Sequence, residues 1–545
     1  MESFDLVIIG GGIVGTATFS EAVRKGVNAC LLEEANDVAA YATKANSGIV
    51  HSGYDPIPGS KMAKYNLEGN LMYKDMCERL GVDYLECGTL TVASEEGREK
   101  LIALMARGKE NGVQGLRIIE QDELRKMEPN LNPNMTIALF APTGAVVSPY
   151  SVCIGLAEEG MINGGTVKLK FCVRSIKKQK DGYIISDGEQ EIKAKYVVNC
   201  AGPNSSEINK MVGAKTFDMN YVKGEYILLD KSTQGYIHHP IFPLPTEISK
   251  GILANITVHG NIMFGPTAVE CEKDDKSVTT QSITNIKAQI NNTMDAPNFK
   301  KTIKLFAGVR VKAGKDFEIG EDENNKNFFY AVGICSPGLT AAPAIAKYFV
   351  EKLIENGIET KDIKFKKRKP YINTEHMSEK ELNELIKRNP SYGKIVCRCE
   401  HISEGEIIDA LNSPLKPVSI DALKRRVRPT MGRCQGSFCI PKLIRIMANE
   451  KRVKKEQIVQ NQDGSELICG DIKKGGPYEN WCCGCWWGSS RNGSSIRGSQ
   501  KWGKSCYYWK GISPWWNFKS VHTQWFWTSL FGRRINRTWI CKLLD

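Results

Sequence analysis

Residues Phe4 to Asn36, FDLVIIGGGIVGTATFSEAVRKGVNACLLEEAN, constrain the fold more than any other stretch of the chain. The apolar run Leu6 to Ile9 reads as a buried parallel strand. It runs into Gly10, Gly12 and Gly15, spaced G-x-G-x-x-G, and then into a segment with Ala17, Phe19, Ala22 and Val23 at helical spacing. A second apolar run, Ala29 to Leu32, ends in Glu33. Gly10 permits a tight turn, Gly12 lets backbone approach a pyrophosphate, and Gly15 packs helix on strand. The helix N-terminus offers unpaired N–H groups to phosphates. A carboxylate about 20 residues on suits a ribose hydroxyl, and Glu33 supplies it. Strand, glycine turn, helix, strand and terminal Glu together predict dinucleotide binding.

At 545 residues the chain holds two or more domains. Its first residues pass straight into a strand, so no signal peptide is expected. No apolar run reaches the ~18 residues that span a bilayer. The expectation is a cytoplasmic protein without a transmembrane segment, peripheral to a membrane only through a partner. Eight cysteines before residue 396 are scattered singly, as reduced core thiols are. The net charge of +13 is concentrated: residues 475–545 hold ten Lys/Arg and two Asp/Glu, which leaves +5 for the first 474 residues. That is a mildly basic solvated surface, and nucleic-acid binding is not expected.

Farther along, Thr43-Lys-Ala-Asn-Ser-Gly-Ile-Val-His51-Ser-Gly-Tyr54 combines small residues with one titratable side chain, so backbone can pass close to a flat ring. Val167–Val173 and Tyr183–Ser186 read as hairpin strands around the turn at Lys180–Gly182. Lys195–Asn199 reads as a strand that ends in Cys200-Ala201-Gly202-Pro203, either beside the same cofactor or at an ordinary turn. Residues 220–304 alternate in strand fashion, as a substrate-side antiparallel sheet does. The strand Phe329–Val332 leads through Ser336-Pro-Gly338-Leu339-Thr340 into a helix over 341–356, a second helix N-terminus able to face a cofactor.

The segments GGGIVG, KANSGIVHSGY, VVNCAGP, HGNIMFGPT, AGVR and GICSPGLTAAPAI resemble the FAD-dependent oxidoreductases of the D-amino-acid-oxidase-like fold. Within them, residues 1–355 look most like glycerol-3-phosphate dehydrogenases and oxidases, with L-2-hydroxyglutarate oxidases close behind. The resemblance implies FAD as cofactor, its ADP half on Gly10, Gly12, Gly15 and Glu33, with Val173 by the adenine. It also implies Thr43, Asn46, Ser47, Ala201, Gly202, Gly338, Leu339 and Thr340 along the cofactor. His51 resembles the catalytic base, and Lys250, Arg310 and Ser336 match substrate-pocket positions. The chemistry agrees with this set. A histidine, with an ordinary pKa near ~6.5, suits removal of a hydroxyl proton near neutral pH. A small alcohol substrate with an anionic tail needs fixed cations, and Arg310 offers a planar fork and Lys250 a point charge.

Residues 357–392, with the run KDIKFKKRKP, read as a tethering linker plus a short helix. Cys397-Arg-Cys399 and Cys434-Gln-Gly-Ser-Phe-Cys439 form two close pairs around a helical stretch, Glu404–Leu411. Zinc sites more often show C-x-x-C pairs, and four thiolates suit a [2Fe–2S] cluster equally well. Arg425, Arg426 and Arg428 are expected to offset the cluster's charge. Residues 394–447 resemble the bacterioferritin-associated-ferredoxin-like [2Fe–2S] domain, in the form appended to the flavin-bearing chain of anaerobic glycerol-3-phosphate dehydrogenases. The resemblance implies Cys397, Cys399, Cys434 and Cys439 as ligands.

All ten Trp lie beyond residue 480. Shifted by one base, Trp codons become glycine codons, and residues 485–492 and 515–524 then give Gly-rich text. That text resembles the start of an NAD(P)- and FAD-linked disulfide-reductase-like flavoprotein. Residues 475–545 therefore read as an out-of-frame tail, and a flavoprotein of that kind as the electron partner.

The expectation is an α/β fold with a Rossmann-like FAD-binding domain (about 1–80, 140–215 and 305–355). An antiparallel-sheet substrate domain (about 81–139 and 216–304) interleaves with it. A linker (356–392), a small helical [2Fe–2S] domain (393–450) and an extension (451–474) follow. The function expected is oxidation of sn-glycerol 3-phosphate to dihydroxyacetone phosphate, with electrons leaving through the cluster to the partner flavoprotein or a quinone-side acceptor. The alternatives are a 2-hydroxy-acid dehydrogenase and a non-catalytic electron relay.

Overall fold

The computed structural model describes residues 1–245, 251–295 and 297–468. Lys250 and the segment 475–545 therefore lie outside the described residues. The chain divides into two units, Met1–Val453 and Lys454–Asp545. Of the second, residues 454–468 form a single turn at Lys455–Gln457 and a short bridge between Val459 and Glu466.

The first unit is built on β1 (Glu2–Ile9), which lies between β2 (Ala29–Glu33) and the later strand Glu191–Asn199. All three run parallel, so Ile9 stands level with Leu32 on one side and Asn199 on the other. Both faces of these strands are apolar because helices cover one and the hairpin Ser175–Ser186 with the short helix Ser205–Met211 covers the other. The helix α1 (Ile13–Arg24) packs against Pro149–Ile162 and Gly338–Glu355, with Phe19, Leu31, Ile345 and Phe349 fully buried in the shared core. The strand Thr166–Leu169 extends this sheet beyond β2, parallel to it. The stretch 167–173 thus begins in an edge strand of the doubly wound sheet and is not half of a hairpin. The hairpin that forms pairs Ser175–Gln179 with Gly182–Ser186.

A second, nine-stranded sheet is antiparallel except where Ile241–Pro243 runs along Thr89–Ala93. Its long central pair is Asn220–Leu229 with Thr302–Lys312, in register with Val222 opposite Arg310 and Tyr226 opposite Phe306. Gly308 lets this sheet approach the loop after β2, since a Cβ there would sit 2.0 Å from the Ala45 carbonyl oxygen.

The segment 359–373 is mostly exposed but is anchored at Arg368 and Tyr371. Arg368, 5% exposed, pairs with Glu158 at 2.7 Å and donates to the Leu80 carbonyl at 2.8 Å. Tyr371 also donates to Glu158. One arginine of the charged run is consumed by a buried acid on the main helix layer.

The helices Glu404–Leu411, Ile420–Val427 and Ile440–Lys451 and a two-stranded ribbon form the cysteine module. It docks on the doubly wound sheet's helices. Arg425 and Arg426 both reach Asp37, in the loop after β2, at 2.7 and 2.9 Å, with the Asp37 side chain 1% exposed. Arg428 pairs with Glu400 at 3.1 Å. Arg425 and Arg426, expected beside the cluster, serve instead as the clamp between the module and the sheet.

Candidate active site and cluster site

Where β1 ends, Gly10 adopts φ +110°, and a Cβ would meet the Cys200 carbonyl oxygen at 2.4 Å. Gly15 lies against the same turn, with space for no Cβ beside the Gly10 carbonyl oxygen at 1.9 Å. Gly12 differs, because its nearest neighbour is Thr43 Oγ1 at 3.5 Å and its open side faces a cavity of about 800 Å³. That volume falls within the range of cofactor sites, ~300–1,000 Å³.

The cavity gathers three groups of residues. At the dinucleotide end are Gly10, Gly12, Glu33, Val173, Ala201 and Gly202. The loop residues Thr43, Asn46 and Ser47 form one wall. His51, Arg310, Ser336, Gly338 and Leu339 surround the other end. Gly15 stays behind the turn as a packing contact. Thr340, expected along the cofactor, does not line the cavity. Its buried hydroxyl accepts from the His51 N–H at 2.9 Å and faces the Ile49 carbonyl, so it ties the helix Gly338–Glu355 to the histidine's backbone.

Local bonds fix each wall. Glu33 accepts from the Gly11 and Ala35 N–H groups at 2.7 and 2.8 Å. Burial nevertheless dominates these contacts and pushes its carboxyl up to about 7. Thr43 Oγ1 accepts the Ile13 N–H at 3.1 Å, which holds the loop to the first turn of α1. Asn46 spans its own turn by donating to the Thr43 carbonyl at 2.9 Å and accepting from the Gly48 N–H at 2.9 Å. Ser336 Oγ stands 3.4 Å from His51 Nε2, and the His51 ring leans on Phe242 with centroids 5.9 Å apart.

Arg310 donates to the Thr267 carbonyl, while its buried Nε has no partner among the described residues. A buried unsatisfied donor in a cavity wall is what an incoming anion completes. Tyr226 is a wall residue that sequence reasoning missed. It is buried, stacks on Phe306 at 4.7 Å, and burial pushes its hydroxyl up to about 12. The alternation of Asn220–Leu229 carried this signal, but which parity faces the cavity depends on pairing with Thr302–Lys312.

The gap over Gly12, the fixed Glu33 carboxylate and the helix N-terminus suit an FAD, with phosphates at α1 and ribose at Glu33. In the cysteine module the thiols come together as two pairs, Cys397 with Cys439 and Cys399 with Cys434. Hydrogen bonding from Cys439, and then N–H groups of Thr430, Glu400 and Cys399, holds the Cys397 thiol down to about 6 against its burial. Among the described residues no group of three or more His, Cys, Asp or Glu forms a ready-made site for a single ion. Two pairs of thiols supply the four ligands that two irons of a [2Fe–2S] cluster take.

Known proteins resemble the chain along these lines. Residues 5–352 match the model of the FAD dependent oxidoreductase family, and residues 395–449 that of the BFD-like [2Fe-2S] binding domain. A glycerol 3-phosphate dehydrogenase of Caloramator mitchellensis is 38% identical over 475 residues, which covers 86% of this chain and 99% of the relative. A glycerol 3-phosphate oxidase of Mycoplasma genitalium is 31% identical over 65% of this chain and 95% of its own. The solved structure of dithionite-reduced L-alpha-glycerophosphate oxidase from Mycoplasma pneumoniae, with FAD bound, superposes with a TM-score of 0.65 at 28% identity. It covers 68% of this chain and all of that one. No helix among the described residues is long and apolar enough to cross a membrane. On its cavity, its four paired thiols and these matches, the chain belongs to the FAD-dependent oxidoreductases and carries a BFD-like [2Fe–2S] domain.

Proposed function

We propose that this enzyme oxidises sn-glycerol 3-phosphate to dihydroxyacetone phosphate and sends the electrons outward through its [2Fe–2S] domain. The observation that carries the reading is the meeting of His51 and the unsatisfied Arg310 in one cavity. The glycerol 3-phosphate dehydrogenase and oxidase relatives supply the substrate.

FAD, when bound, supplies the acceptor for the hydride on the substrate's C2. His51 Nε2 takes the C2 hydroxyl proton, with Ser336 Oγ 3.4 Å away to orient the ring. Arg310 Nε and its remaining N–H donors bind the phosphate, and the bond to the Thr267 carbonyl fixes the fork's direction. Lys250 belongs to the same reading as a second cation. Thr340 holds the His51 backbone, so the base sits where the cavity requires it. Cys397, Cys399, Cys434 and Cys439 would hold the cluster, which supplies one-electron steps. The receiving protein in this reading is a flavoprotein partner or a membrane-side acceptor.

A second reading, 2-hydroxy-acid oxidation, has its own support. Human L-2-hydroxyglutarate dehydrogenase is 34% identical over 49% of the chain, and Arg310 suits a carboxylate as well as a phosphate. Anaerobic bleaching of the enzyme's flavin decides between them. Glycerol 3-phosphate and L-2-hydroxyglutarate are offered separately at equal concentration. Bleaching by the first alone supports the proposal, and bleaching by the second alone replaces it. A flavin that dithionite reduces but neither substrate bleaches would make the protein an electron relay.

A further inference from the structure

The cluster loop ends at a surface that the reaction at the flavin cavity does not use. Phe438, between Ser437 and the buried Cys439, is 78% exposed, the most exposed large apolar side chain among the described residues. Cys439 is the N-cap of the helix Ile440–Lys451, whose inner face buries Leu443, Ile444, Ile446 and Met447. Its outer face leaves Lys442 and Arg445 exposed. Lys442 and Arg445 are i, i+3 neighbours on the helix's outer face, and Phe438 lies in the turn just before the N-cap. Arg398, between Cys397 and Cys399, is exposed as well.

The module as a whole is basic. Residues 393–453 hold twelve Lys/Arg against six Asp/Glu. Arg425, Arg426 and Arg428 are spent on Asp37 and Glu400. Arg398, Lys442 and Arg445 have no ion-pair partner among the described residues. Arg433, beside Cys434, reaches only Asp230 at 3.3 Å with its side chain 70% exposed. The thiols Cys399 and Cys434 are themselves half-buried and open on this loop, whereas Cys397 and Cys439 are buried. Exposed Arg398 and Arg433 flank the half-buried Cys399 and Cys434 in sequence, and exposed Phe438 precedes Cys439. An exposed aromatic within a basic rim is the anatomy of a small, salt-sensitive protein interface.

We propose that this face, centred on Phe438, Lys442 and Arg445, docks an acidic one-electron carrier protein. In the step it serves, the reduced cluster gives up one electron and the carrier gains it, with no proton or bond exchanged. The inference rests on the reading that the cluster delivers electrons outward. It does not depend on which alcohol feeds the flavin.

The test uses the full-length holoenzyme, reduced with dithionite, desalted and mixed rapidly with oxidised rubredoxin (acidic) or cytochrome c (basic). For rubredoxin the second-order rate should fall about tenfold or more between ~20 mM and ~500 mM salt. The double reversal K442E/R445E should lower the low-salt rate about tenfold and raise that of cytochrome c. F438S should slow rubredoxin reduction several-fold at every salt concentration, with the cluster's visible spectrum retained as a check of loading. A rubredoxin rate that ignores both salt and the charge reversal overturns the proposal. So does loss, in K442E/R445E, of self-association or of sedimentation with phosphatidylglycerol vesicles while the rubredoxin rate stays unchanged, because a second copy or a lipid surface would then be the occupant. If glycerol 3-phosphate fails to bleach the flavin, the substrate reading falls and this result stands.

Discussion

Arg426 grips Asp37 through both terminal nitrogens, at 2.9 and 3.0 Å, across 389 positions of sequence. The carboxylate belongs to the loop that follows Glu33, and the guanidinium belongs to the cysteine module. Burial works to raise the Asp37 carboxyl, but Arg426 and then Arg425 outweigh it and hold it below its ordinary value.

Replacing Asp37 by Asn should leave two buried guanidiniums without their acid and destabilise the first unit by about 3–5 kcal/mol. Urea unfolding monitors the loss. A split between steps distinguishes a clamp from general damage: flavin bleaching by substrate persists, while reduction of the cluster that follows it slows. Because the folded pKa is depressed, the stabilising contribution is present above the ordinary carboxylate value and is lost only as pH falls through the folded one. Wild-type docking should therefore not change between pH 5 and 8.

Glu33 should behave in the opposite sense. Its carboxyl is raised from 4.5 to about 7, so the stabilisation it gives the cofactor-free protein is fully present below 4.5 and is lost as pH rises through about 7. The apoprotein's melting temperature should fall between pH 5 and pH 7.5, and E33Q should flatten that fall. Ribose hydroxyls favour the ionised form, so FAD affinity measured by fluorescence should rise over the same interval in wild type and not in E33Q.

Gly308→Ala places a methyl 2.0 Å from the Ala45 carbonyl oxygen, against backbone that cannot rotate away. Expected is overpacking of about 1–3 kcal/mol. It pushes the loop carrying Thr43 and Asn46 outward and weakens FAD binding roughly tenfold, the equivalent of ~1.4 kcal/mol. A titration of apoprotein with FAD reads this directly. Unchanged affinity would show that the loop does not shape the cofactor site.

At the reacting end, His51→Asn should lower the rate of flavin bleaching by about 10²–10⁴ with FAD still bound. Arg310→Met should raise the substrate concentration needed for half-maximal bleaching far more than it lowers the limiting rate. Thr340→Val leaves the His51 N–H without its acceptor, at a cost of about 1–3 kcal/mol. Thr340→Ser should restore most of the rate.

The turn from β1 into α1 was legible in the sequence because three glycines and a period-3.6 pattern each admit few alternatives. His51 and Arg310 were legible through their motifs, and the cavity brings them together. What failed had physical reasons. The run 167–173 alternates apolar residues with Lys168 and Lys170, a pattern that suits a hairpin strand or an edge strand alike, so the pattern could not place it. Thr340 stands beside two cavity residues, yet its side chain turns away, and one helical step decides that. Arg425 and Arg426 look like partners of nearby thiolates, whereas their acid is Asp37, a contact that local patterns do not encode. Tyr226 needed the register between two distant strands.

The anchoring of the connecting segment changes what kind of electron carrier the cysteine module is. A domain on a loose tether meets its donor by diffusion, at an effective concentration set by tether length. Here Arg368 sits in a buried pocket with Glu158 and Tyr371, and Asp37 holds Arg425 and Arg426 of the module nearby. Lengthening the chain at residues 374–378 should hardly alter the internal transfer rate, and added viscogen should leave it unchanged. The module behaves as a fixed terminal wired to the flavin domain, and only the outside carrier has to travel.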